Sequence, residues 1–171
     1  VVDTLNTEAM VSVRVAYGTI VGDLKELPKS LKEARMALDV GRVFYTGSSV
    51  FAYKELGIGR LIHQLPISLC HTFLEEVLSG KAVEQFDEET LAAVNKFSEY
   101  NLNISETARQ LYLHRNTLMY RLEKIQKQTG LDVQTFDDAV TFKIAMMVSR
   151  HITFSQQEVK YTTYKEDKKN D

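Results

Sequence analysis

The sequence predicts a mainly α-helical chain, in which two short helices joined by a tight turn near the C-terminus follow a partial α+β segment. Three observations carry this. Apolar residues recur every three or four positions over most of the chain. Only two short stretches show strand character, and a capped, locally basic helical hairpin lies between Asn103 and Gly130.

The strand signals come first. Met10 to Ala16 alternates, with Val11, Val13 and Val15 on one side and Ser12 and Arg14 on the other, the period of a half-buried strand that Gly18 closes. From Leu24 the spacing changes. Leu27, Leu31, Ala34 and Leu38 predict a helix to about Phe44, with Pro28 and Ser30 suited to its start. Gly47, Ser48 and Ser49 break it, and Val50 to Tyr53 reads as a second strand. Because an isolated two-stranded sheet is marginal in water, this segment (1–57) is expected to be the end of an α+β domain whose first part lies upstream.

A connecting helix is expected over 58–86, with Leu61, Leu65, Leu69 and Phe73 at spacing four and Leu74, Val77 and Leu78 continuing its apolar face. Pro66 marks a place for a kink or a split, and Ser79-Gly80-Lys81 an end. Asp87-Glu88-Glu89 suits the start of a further domain (87–151), since acids favour a helix N-terminus. Its first helix holds Leu91, Val94 and Phe97, and its last runs from Phe136 through Val140, Ile144 and Met147. The polar segment 155–171 lacks periodicity and is read as a mobile tail.

The hairpin carries the function. Asn103 is placed to cap a helix, and Glu106 three residues later completes the pattern of a capping box. Ile104, Ala108 and Leu111 form the inner stripe of the first helix, where the small Ala108 permits a close crossing. Tyr112-Leu113-His114 is a turn, and Arg115 to Thr129 a second helix with Leu118, Leu122 and Ile125 buried, ended by Gly130. This is a helix-turn-helix pattern. Its outer face offers His114, Arg115, Asn116, Thr117, Tyr120, Arg121 and Lys124 to double-stranded DNA: short polar groups for base edges, cations for phosphate. From Asn103 to Gly130, five cations (Arg109, Arg115, Arg121, Lys124, Lys127) stand against Glu106 and Glu123, a basic patch in a chain of net charge -2. A homodimer is expected, because one recognition helix reads few base pairs; the Leu61 to Leu78 and Phe136 to Val148 helices are candidate dimer surfaces.

The stretch from Ile104 to Ile125, with its His-Arg-Asn-Thr-Leu and Tyr-Arg-Leu elements, and Thr129-Gly130-Leu131-Asp132 after it, resembles the C-terminal DNA-binding domain of the PucR and CdaR families of bacterial regulators, over roughly Asp87 to Val148. It is also similar to the helix-turn-helix of Fis, whose turn carries Gly where this chain has Tyr112, a departure because bulky residues avoid positive φ. Val13 to Gly22, Ser30 to Leu38 and Val50 to Gly57 resemble the end of the degenerate GGDEF-like domain of such regulators, without its signature loop. The resemblance implies that a small-molecule effector is sensed upstream.

Other chemistry finds little support. His63, His71, His114 and His151 are too scattered for a metal site, and the lone Cys70 reads as a buried structural residue. Glu75, Glu76, Asp87, Glu88 and Glu89 are expected to cap or solvate helices, and neither Gly18 with Gly22 nor Gly57 with Gly59 makes a phosphate loop. No catalytic residue, cofactor or metal is assigned, and with no signal-peptide pattern or spanning segment a cytoplasmic protein is expected. The alternative is an interaction module, in which Leu113, Met119 and Tyr120 meet a partner protein. A nucleotide-processing enzyme would need its phosphate loop and metal-binding acids from upstream sequence.

Overall fold

The computed structural model describes residues 2, 4, 7, 10–45, 47–80 and 83–167, with side chains at all of these except 84 and 158–167. Lys81 and 168–171, parts of the expected helix end and tail, lie outside the described residues. The chain is mainly α and forms two compact units, one within Val1–Leu65 and Thr153–Asp171, the other Pro66–Ile152.

The first unit is a β-α-β arrangement. Strand β1 (Val15–Tyr17) pairs in parallel with β2 (Val50–Ala52), in the register Val15 to Val50 and Tyr17 to Ala52, and helix α1 (Leu27–Phe44) joins them and packs on both. The expected strand from Met10 shrinks to three residues, because a two-residue period builds a strand only where a neighbour supplies the hydrogen bonds, and β2 is three residues long. Ala37, Val40, Phe51 and Leu56 form the core. The loop after β1 is tied to α1 by Ser30 Oγ, which donates to the Thr19 carbonyl (2.7 Å), and by Thr19 N–H, which donates to Glu33 (2.8 Å).

Pro66 splits the expected connecting helix into α2 (Gly59–Ile62) and α3 (Ile67–Val77), since proline lacks an N–H and disfavours helical backbone in the residue before it. The break between units falls at this same proline, whereas the sequence reading divides the chain at 57/58 and 86/87. Residues of α3 account for the difference: Phe73, Leu74 and Val77 pack against the C-terminal core, and Leu78 is wholly buried in it.

The second unit continues with α4 (Glu88–Glu99), α5 (Ile104–Gln110), α6 (Arg115–Thr129) and the part of α7 (Phe136–Asp167) up to Ile152. Its core gathers Phe97, Ala108, Leu118, Leu122, Ile125 and Phe142, with the rings of Phe86 and Phe142 edge to face at 5.9 Å. Helix α7 runs through 155–167, where the sequence reading expects a polar tail. A helix already nucleated gains one hydrogen bond for each residue added, so its backbone can continue without an apolar face.

Gly41 in α1 faces the sheet, and a Cβ there would lie 2.4 Å from Cγ of buried Phe51. Replacing a mid-helix glycine by alanine ordinarily gains roughly 0.5–1 kcal/mol. Overpacking costs about 1–3 kcal/mol and outweighs that gain. Gly41→Ala is therefore expected to lower the thermal midpoint, and an unchanged or raised midpoint would show that Phe51 yields freely.

Candidate nucleic-acid interface

Capping groups open the two helices of the hairpin and the helix before them. Asp87 caps α4, accepting from Thr90 N–H (2.8 Å) and Thr90 Oγ1 (2.9 Å). Asn103 caps α5 by accepting from Glu106 N–H (3.0 Å). The reciprocal half of the expected capping box is not formed. Asn103 N–H donates to the Tyr100 carbonyl, and the Glu106 carboxylate turns to Arg109 (2.7 Å) and Gln110 (2.9 Å). His114 caps α6, its Nδ1 accepting from Asn116 N–H (3.2 Å), which requires that nitrogen to be unprotonated. Gly130, at φ +85°, closes α6 and donates to the Gln126 carbonyl (2.8 Å).

The turn between α5 and α6 takes the backbone that suits glycine, with tyrosine in it. Tyr112 has φ +54° and a side chain almost wholly exposed. The local bonds hold it there: Tyr112 N–H donates to the Arg109 carbonyl (3.2 Å) and Leu113 N–H to the Ala108 carbonyl (2.9 Å), the pattern that ends helices in a left-handed residue. The departure at Tyr112 thus leaves the turn geometry intact at the cost of local strain.

Leu118, Leu122, Ile125 and Thr129 point α6 into the core. His114, Arg115, Asn116, Thr117 and Tyr120 are exposed, so five of the seven expected contact residues share an open surface at the start of α6. Leu113 and Met119 are half-buried, which leaves Tyr120 as the exposed member of the alternative hydrophobic contact. Arg121 and Lys124 are placed differently. Arg121, with 18% of its side chain exposed, pairs with Glu89, and Lys124 with Asp87, both acids on the first turn of α4 or at its cap. The Lys124 ammonium and the Thr90 hydroxyl and amide hold the Asp87 carboxyl well below the usual carboxylate range. Arg109 pairs with Glu106, and Lys127 with Glu123 (3.6 Å). Among the described cations of the hairpin, only Arg115 has no such ion pair, and five cations now face four acids. Sequence reasoning missed Asp87 and Glu89 here because they lie 37 and 32 residues from their partners. It also missed Thr107, fully buried in α5, whose hydroxyl donates to the Asn103 carbonyl (2.7 Å).

Residues 90–148 match the PucR C-terminal helix-turn-helix domain, which takes in α5, α6 and most of α4. The C-terminal part of the chain is thus similar to the DNA-binding domain of PucR-type regulators. The chain is 27% identical over 143 residues to the purine catabolism regulatory protein of Bacillus subtilis, covering 83% of this chain and 27% of that protein. The carbohydrate diacid regulator of Escherichia coli is 28% identical over 146 residues, covering 79% and 35%. The proline-responsive transcriptional activator PutR of Bacillus subtilis is 28% identical over 144 residues, covering 81% and 34%. The chain thus spans about a third or less of each of these three relatives. In the described residues no helix is long and apolar enough to cross a membrane, and no group of three or more His, Cys, Asp or Glu is placed to hold a metal ion.

The turn and the cap make opposite predictions. Tyr112→Gly is expected to raise stability by about 1 kcal/mol through relief of the left-handed strain. His114→Ala is expected to lower it by about 0.5–2 kcal/mol through loss of the cap, and His114→Asn to recover most of that loss. Denaturant unfolding of the three variants checks both, and a destabilised Tyr112→Gly would show that the tyrosine ring contributes more than its backbone costs.

Proposed function

We propose that this chain is the DNA-binding end of a transcription regulator, which sets α6 into the major groove of operator DNA and performs no catalysis. The observation that carries the reading is the exposed cluster at the start of α6, His114, Arg115, Asn116, Thr117 and Tyr120, on a helix whose opposite side is locked into a core. Short polar side chains at such a position read base edges, and Arg115, the cation without an ion pair, suits guanine or phosphate. The match to a helix-turn-helix domain and the regulator names of the relatives support it. A cytoplasmic location follows from that role. Sensing of a small-molecule effector belongs to a part of the regulator outside this chain, since the relatives extend far beyond the matched region.

The direct test is selection of bound sequences from random duplex DNA, followed by gel shifts at low and moderate salt. A shared motif, bound more tightly than unrelated DNA, is expected. Binding without preference, or none at any salt, would remove operator reading. Asn116→Ala and Thr117→Ala are expected to lose about 1–3 kcal/mol of discrimination for each base contact while nonspecific affinity changes little. Unchanged preference in both would take these residues off the reading surface.

A pair of domains is needed for tight binding, because a single helix engages few base pairs and most cations of the hairpin are already paired. Operators with two half-sites about 34 Å apart should bind far more tightly than one half-site, and inserting about half a helical turn should abolish the gain. Equal affinity for one and two half-sites would overturn the dimer.

A further inference from the structure

Arg121 and Lys124 lie on α6 three residues apart and reach two acids that are themselves two residues apart at the start of α4. The Arg121 guanidinium donates to the Glu89 carbonyl (3.4 Å) as well as pairing with its carboxylate. Asp87 braces Lys124 with the same carboxylate that caps α4. The seam therefore joins α6 to an end of α4 that is already fixed. Its geometry bears on reading: the apolar stripe of α6 decides which side faces inward, but hydrophobic packing is non-directional. Hydrogen-bonded ion pairs are directional and restrain the turn of a helix about its axis. At 100° per residue, a modest rotation of α6 would swing Asn116, Thr117 and Tyr120 away from the bases they would otherwise meet.

We propose that Asp87 and Glu89 are positioning residues for DNA reading: by holding Lys124 and Arg121 in a seam between α4 and α6, they set the rotation of the recognition helix, and those two cations serve the domain and not DNA phosphate. This rests on the DNA-binding reading above. The seam also accounts for the low exposure of Arg121, which a phosphate contact would not require.

The test is a charge swap in the full chain, Glu89→Arg together with Arg121→Glu, beside each single change, with affinity for the selected operator measured across a salt series. The swap preserves net charge, so the overall field stays nearly constant. Each single change should weaken operator binding about tenfold or more, and the swap should return it to within about threefold with the salt dependence of the unaltered protein. A swap as weak as Arg121→Glu, with a slope of log affinity against log salt shallower by about one, would make Arg121 a phosphate contact and overturn the proposal. If the single changes prevent folding, Glu89→Gln and Asp87→Asn, which keeps an α4 cap, replace them. These should narrow the ratio of operator to nonspecific affinity about three- to tenfold, and an unchanged ratio would overturn the proposal. Failure of the DNA-binding reading is distinguishable, because the unaltered protein would then bind no sequence selectively.

Discussion

The burial of Leu118, Leu122 and Ile125 is the constraint on which the C-terminal unit depends. All three are essentially inaccessible to water and share a core with Phe97, Ala108 and Phe142. Each is worth about 1.5–3 kcal/mol on burial, which is large beside any single polar contact of the hairpin. Once that stripe faces inward, the exposed position of Asn116 and Tyr120 follows from helix geometry, since residues near half a turn away must face out. A substitution in the stripe would therefore alter the exposed face of α6 without touching it.

Polar groups then make the helices discrete. Asp87, Asn103 and His114 each satisfy a backbone N–H that the first turn of a helix leaves without a partner. Between α5 and α6 the chain keeps a left-handed residue although its side chain is bulky, because the bonds to the Arg109 and Ala108 carbonyls hold the turn closed. The strain at Tyr112 is small against the core energy it accompanies.

Electrostatics sets the character of the outer face. A local count of charges makes the hairpin basic, yet folding brings Asp87 and Glu89 beside it, and Arg109 and Lys127 find acids on their own helices. What is left open is a surface of polar and aromatic groups with one arginine free of ion pairs. On the DNA-binding reading proposed above, such a face would favour selective contacts over indiscriminate attachment to phosphate, because nonspecific binding comes from uncompensated positive charge.

The sequence by itself determined the helices of the hairpin, its caps at Asn103 and Gly130, its inner stripe and the β-α-β order of the N-terminal segment. These depend on local spacing and on residues with a single suitable conformation, which a linear reading can see. Only the tertiary structure decided that β1 is as short as its partner and that Arg121 and Lys124 are occupied. In each case the deciding partner is a group the local pattern does not specify. Asp87 and Glu89 lie 37 and 32 residues from the cations they hold, and no periodicity along the chain encodes a contact made between separate helices.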